Sequence, residues 1–205
     1  LEKSLSNLDK SLDYEINTFS IKVDGLVRKL ETNYLFQNFT STIPNVIKNT
    51  RIVFSKIISF CKQNNIEMNG KPFVIYHTYD LTTGLAKISC CVPVKQPIMT
   101  SAGSDILADK LTSFLAIKTT LRGDYSHIEK ALNKSKSYFN TNRITPDSKF
   151  SHIEIYTLSE AEIKNPSKWK TEIYYPIKPK YIAPKIVPKI QKEPVIEPQQ
   201  DTSEI

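Results

Sequence analysis

Apolar residues recur along this chain with two alternating periods, and the alternation divides it into segments. Leu1, Leu5, Leu8 and Leu12 have the spacing of a short amphipathic helix with one apolar stripe. That stripe needs a partner, so residues 1–15 read as the helical end of a preceding domain. A dimerising coiled coil is the alternative, although it has few heptads to work with. Residues 16–33 alternate loosely and carry Asp24-Gly25, a hairpin signal between Phe19–Val23 and Leu26–Arg28. This segment is expected to be a connecting hairpin or linker.

From Tyr34 onward an order of elements appears twice. Tyr34–Thr40 is aromatic-rich and reads as a strand. A helix follows, with Thr42 as its cap, Pro44 in its first turn and a stripe of Val46, Ile47, Val53, Phe54, Ile57, Ile58 and Cys61, ending near Asn64-Asn65. Strands are predicted at Pro72–Tyr79 and Leu85–Val94, joined by the turn residues Asp80–Gly84. After a loop over Pro97–Asp109 the order returns: a strand at Ser113–Leu121, and a helix capped by Asp124 with the stripe Ile128, Ala131, Leu132, Ser135, Tyr138 and Phe139. Strands at Phe150–Leu158 and Lys170–Ile177 complete it. The fold class is therefore α+β, two β-α-β-β units. Ile75-Tyr76 answers Ile155-Tyr156, and Val92-Pro93-Val94 answers Tyr175-Pro176-Ile177. Residues 179–205 lose both periods and are interrupted by Pro179, Pro184, Pro188, Pro194 and Pro198, so a disordered tail is expected there, a tether or a proline-rich docking site.

Composition narrows the function. The formal charge of +7 comes from lysines spread along the sequence, with no helix-turn-helix, zinc-finger or RNA-binding pattern, so no nucleic-acid partner is expected for this stretch. No apolar run reaches the ~20 residues of a membrane span, and a soluble, cytoplasmic protein is expected, with an upstream anchor left open because the chain starts at Leu1. Cys61, Cys90 and Cys91 lack metal-ligand spacing; reduced thiols, no metal and no cofactor are expected.

Candidate chemistry lies in the second unit. Strand alternation puts Glu154 with Tyr156, and Glu172 with Tyr174, each away from neighbouring isoleucines. Were these strands adjacent and the isoleucines beneath the helices, the two pairs would share one wall, opposite Val74, Tyr76, Ser89 and Cys91 in the first unit. The plain alternative is a solvent-facing glutamate beside a lysine. His152 shares the Glu154 face, while His77 and His127 read as surface residues. Trp169 packs on the loop Lys164–Lys168 or forms a lid, and Tyr76 and Tyr125 are core or stacking rings.

The segments GKPFVIYHTYD, CVPV, GDYSHIEKA, IEIY and TEIYYPIK occur in an order and at intervals that resemble the GyrI-like effector-binding domains of AraC-type and MerR-type multidrug-responsive bacterial regulators. The resemblance spans about Tyr34 to Lys178 and implies a curved antiparallel sheet, two helices, and a central pocket lined by rings and an acidic residue. On that pattern Glu154, Glu172, Tyr156, Tyr174, Tyr76 and Trp169 would bind a small amphiphilic, cationic ligand. The leading helix and hairpin resemble the junction that follows a START-like (SRPBCC) domain. Some relatives look like hydrolases of electrophilic small molecules, for which Glu154 and Tyr156 would be catalytic. An inhibitor-type role, binding a protein, is the third reading. The oligomeric state is left open.

Overall fold

The strands expected from the alternation join into one antiparallel sheet. The computed structural model describes residues 10, 11, 13–101 and 103–179. Its strands are β1 (Ser20–Lys29), β2 (Thr32–Thr42), β3 (Phe73–Asp80), β4 (Leu85–Val94), β5 (Leu107–Leu111), β6 (Phe114–Arg122), β7 (His152–Leu158) and β8 (Lys170–Pro176). Helix α1 (Val46–Gln63) lies between β2 and β3, and α2 (Ile128–Asn142) between β6 and β7. The sheet order is β1-β6-β8-β7-β3-β4-β2-β5, so β2-α1-β3-β4 and β6-α2-β7-β8 meet edge to edge at β3 and β7.

The two units match residue for residue. Phe73 pairs with Cys91 and Val74 with Cys90; at the corresponding places Ile153 pairs with Tyr174 and Glu154 with Ile173. The strand after each helix, β3 and β7, bulges at the same point, between Tyr76 and Thr78 and between Tyr156 and Leu158. A single-turn 3₁₀ helix precedes each α-helix, at Ile43–Asn45 and Tyr125–His127. Across the junction Phe73 pairs with Ile155 and Ile75 with Ile153, which are equivalent pairs. Val74 pairs with Glu154, its own counterpart. The pseudo-two-fold axis therefore passes between Val74 and Glu154.

Both helices pack on one face. Val46, Ile57 and Cys61 of α1 meet Leu35, Val74, Tyr76, Ile88, Cys90 and Val92, while Ala131, Leu132 and Phe139 of α2 meet Ile117, Leu121, Ile173 and Tyr175. The opposite face buries a cluster that runs from Leu111 and Tyr34 through Phe73, Ile75, Ile153 and Tyr174 to Ala116 and Val27, contributed by strands from one edge of the curved sheet to the other. Cys90 and Cys91 enter different clusters because neighbouring strand residues face opposite ways. All three cysteines are free and buried.

Several expectations are corrected. Asp24-Gly25 does not turn the chain: β1 is one strand paired with β6 throughout, and the glycine, at φ 96°, accommodates a bulge between Val23 and Gly25. The alternation breaks at that bulge, which is why it imitates a hairpin. The loop over Pro97–Asp109 contains the start of β5, too short and too polar to show a period, which pairs with β2. Thr42 makes no side-chain cap; its hydroxyl accepts from the Asn45 amide instead. Asp124 does cap, accepting from the Ser126 backbone N–H at 2.8 Å. The leucine stripe of residues 1–12 and the proline-rich tail from residue 180 lie outside the described residues, although Lys10, Ser11 and Asp13–Asn17 are helical.

Gly123 links β6 to the capped turn at φ 124°, and a Cβ there would sit 2.6 Å from the Phe19 Cβ. Gly123→Ala is expected to destabilise the protein by about 2 kcal/mol or more. Gly103→Ala, where a Cβ meets nothing within 4 Å, should stay within about 0.5 kcal/mol. Urea denaturation of both variants checks this.

Candidate functional site

Residues that pair directly across strands share a face, so the register decides which predicted site residues meet. Along one row of the helix face run Thr119, Ile173, Glu154, Val74 and Cys90. Glu154 thus lies at the middle of the sheet between aliphatic neighbours, and it is 0% exposed. Its Oε2 accepts from the Tyr156 hydroxyl at 2.8 Å and the Tyr76 hydroxyl at 3.1 Å, and its Oε1 lies 3.3 Å from His152 Nε2. His152 in turn stacks on Tyr76, with ring centres 4.3 Å apart. Burial pushes the Tyr76 and Tyr156 phenols well above their ordinary pKa, and the neighbouring carboxylate adds to it. Both therefore stay protonated and donate.

Glu172 and Tyr174 are not part of this wall. Although β7 and β8 are neighbours, Glu172 pairs with Ile155 and Glu154 with Ile173, a one-residue offset that puts the two carboxylates on opposite faces. The isoleucines expected beneath the helices, Ile153 and Ile155, belong to the opposite face as well. Alternation along each strand was read correctly, but the pairing register between strands is not written in either one. On its own face Glu172 receives Lys118 Nζ at 2.8 Å, Lys170 Nζ at 2.9 Å and the Tyr174 hydroxyl at 2.7 Å.

Near Glu154 two adjoining cavities open on the helix face, one between α1 and the loop after β7 and one between the starts of the two helices. One, of about 350 Å³, is lined by Ile47, Phe54 and Ile58 of α1 together with Tyr125 and Tyr156. The other, of about 440 Å³, lies over Tyr76 and Tyr79 and between the starts of both helices, with Tyr125, Glu129 and Trp169 in its wall. Tyr125 is common to both. Glu154 itself is screened from them by Tyr156 and Tyr76. Trp169 lines the second cavity; its indole N–H donates to the Ile163 carbonyl at 2.6 Å, and its ring stacks on Tyr125 at 4.6 Å.

Some wall residues escaped the sequence reading. Tyr79 joins Tyr76 on the helix face because the bulge at His77 resets the alternation. Arg51 lines both cavities and pairs with Glu160, while Lys71 pairs with Glu162, tying α1 and the start of β3 to the loop after β7. Contacts of this kind between distant segments leave no periodic trace. His127 is buried, contrary to the expected surface position; it stacks on Phe19 at 3.8 Å and its Nε2 lies 2.9 Å from the Ile16 carbonyl. Among the described residues no group of three or more His, Cys, Asp and Glu could hold a metal ion, and no helix is long and apolar enough to cross a membrane.

No family model matches the sequence, and no curated protein matches it at significance. Solved structures do. The EcmrR chain in its DNA complex superposes with a TM-score of 0.66 at 16% identity, over 85% of this chain and 65% of that one. The crystal structure of the EcmrR C-terminal domain gives 0.61 at 15% identity, over 78% of this chain and 98% of that one. The fold is that of the GyrI-like effector-binding domains. SAV2435, solved bound to tetraphenylphosphonium, superposes with a TM-score of 0.51 at 12% identity, over 78% of this chain and 94% of that one. A hydrolase from Listeria innocua gives 0.50 at 14%, over 83% and 97%. The present chain spans about two thirds of the EcmrR chain seen in the DNA complex.

For Glu172 burial works to raise the pKa, but hydrogen bonds from Lys118, Lys170 and Tyr174 outweigh it and hold the group at about 2 instead of 4.5. A depressed carboxyl pKa contributes stability above the unfolded value and loses it as pH falls through the folded one. The stability gap between wild type and Glu172→Gln should therefore be full at pH 5 and shrink as pH falls from about 4.5 toward 2. Urea midpoints across that range measure it; a gap that does not change with pH would contradict the assignment.

Proposed function

We propose that this chain binds a small amphiphilic organic cation between α1 and α2, with Glu154 as the charge partner and Tyr76, Tyr156, Tyr125 and Trp169 as stacking surfaces. The observation that carries this reading is the environment of Glu154. A carboxylate 0% exposed has only phenols and an imidazole as side-chain partners, and among the described residues no lysine or arginine comes within ion-pair distance of it. Burying a carboxylate without a cation is costly, and a cationic ligand brought near it recovers part of that cost. Glu172 is already satisfied by two lysines on the other face and has no such demand.

The cavity walls support the sign of the ligand. Arg51 and Lys71 are each neutralised by Glu160 and Glu162, while Asp124 and Glu129 add negative charge with no ion pair among the described residues. In a chain of formal charge +7 the acidic lining is local. Aromatic rings add cation–π attraction of about 0.5–2 kcal/mol and tolerate varied shapes, so specificity is loose, of a multidrug-binding kind. The binding of tetraphenylphosphonium by SAV2435, which shares the fold, agrees with that chemistry. In this reading the ligand displaces the Tyr76 and Tyr156 hydroxyls from Glu154 or interacts with the carboxylate through them.

Isothermal titration with tetraphenylphosphonium tests the reading. Glu154→Gln should weaken binding at least tenfold, and Glu172→Gln should change it by less than twofold. Without ligand, Glu154→Gln should melt no lower than wild type, because it removes a buried charge while keeping a hydrogen-bonding group. Wild-type affinity in Glu154→Gln would overturn the proposal. Turnover of a strained electrophile by the wild type, lost in the same variant, would transfer Glu154 to the hydrolytic reading.

A further inference from the structure

The face of the sheet away from the helices carries a third, polar cavity of about 290 Å³, lined by Ser20, Lys22, Asp24, Lys118, Thr120, Arg122 and Lys170. The same rule of cross-strand pairing assembles it. Ser20 pairs with Arg122 and Arg122 with Lys170; Lys22 pairs with Thr120 and Thr120 with Glu172. Three strands, β1, β6 and β8, thus present adjacent side chains on one patch.

The charges of this patch do not balance. Four cations, Lys22, Lys118, Arg122 and Lys170, face two carboxylates, Asp24 and Glu172. Lys118 and Lys170 both donate to the same oxygen of Glu172, at 2.8 and 2.9 Å, so their ammonium groups are drawn together and held in place. Lys22 reaches Asp24 only at 3.6 Å, and Asp24 also accepts from the Thr120 hydroxyl. Arg122 has no ion pair among the described residues and stands directly across from Lys170, a like-charge pairing that costs stability in a sheet. A guanidinium left unpaired beside a lysine, with serine and threonine hydroxyls on the same patch, is an arrangement that an anion with several oxygens completes.

We propose that this cavity is a binding site for a phosphate group, free or carried on a small organic molecule, with Arg122 as its main ligand and Lys22, Lys118 and Lys170 completing the charge. The site is independent of the cation site: it lies on the other face of the sheet and shares no residue with it. Glu172 positions two of the lysines and limits the excess charge, so that a single phosphate satisfies it.

The test uses the full chain with inorganic phosphate, phenyl phosphate and, at matched ionic strength, sodium chloride, followed by thermal shift and ³¹P line broadening. Phosphate should stabilise the protein where chloride does not. Arg122→Gln should weaken phosphate binding at least tenfold, Lys22→Gln should weaken it severalfold, and both should leave tetraphenylphosphonium binding within twofold. Arg122 is exposed and its substitution relieves the like-charge pairing with Lys170, so without phosphate Arg122→Gln should melt no lower than wild type. Tighter binding of phenyl phosphate than of phosphate assigns the site to phosphate monoesters, and the reverse order assigns it to the free ion. Equal stabilisation by phosphate and chloride, or an Arg122→Gln variant that binds phosphate like the wild type, would overturn the proposal.

Discussion

The pairing of β3 with β7 is the constraint on which the rest of the molecule depends. It is the seam where two units, each with one helix and one exposed strand edge, close into a continuous sheet. The seam is short, running from Phe73–Ile155 to Tyr76–His152. Its position fixes what lies on the axis: Val74 from one side and Glu154 from the other. A symmetric duplication would place two identical residues there. Having an aliphatic group on one side and a carboxyl group on the other gives the centre of the helix face a single acidic side chain, and two equivalent tyrosines, Tyr76 and Tyr156, converge on it from the two units.

The two glutamates show how environment divides similar residues. Both sit beside a tyrosine two positions on in sequence, and both accept its hydroxyl. Glu172 lies at the rim of the opposite face, within reach of lysines from β6 and β8, and is held ionised with its charge spent. Glu154 lies in the middle, where the neighbouring strands bring Val74 and Ile173 and where a long basic side chain has no route. What differs is whether a cation is within reach: two lysines meet Glu172, and among the described residues none meets Glu154.

Much of this was legible in the sequence. The two β-α-β-β units, both helical stripes and the correspondence of Ile75-Tyr76 with Ile155-Tyr156 follow from periods of 2 and 3.6, and the pairing reproduces them. The placement of Glu154 with Tyr156 on one strand face was also readable. The joint wall with Glu172 was not, because register is set by packing between strands and a shift of one residue reverses every side chain. Bulges account for the other misreadings: at Val23/Gly25 one resembled a turn, and at His77 one brought Tyr79 to the face that simple alternation denies it. The salt links of Arg51 and Lys71 to the loop after β7 join residues more than eighty positions apart, and only the folded chain shows them.

Among the described residues the sheet order leaves β1 and β5 with unpaired edges, which in an open sheet invite other chains to add on. Both are guarded. The outermost strands carry Lys22, Asp24, Arg28 and Lys29 on one side and Asp109 and Lys110 on the other, and the bulge beside Gly25 interrupts the row of free amides on β1. Charge and kinking at these borders disfavour end-to-end polymerisation of the sheet, so the same polar side chains that break the alternation of the outer strands also protect their open ladders.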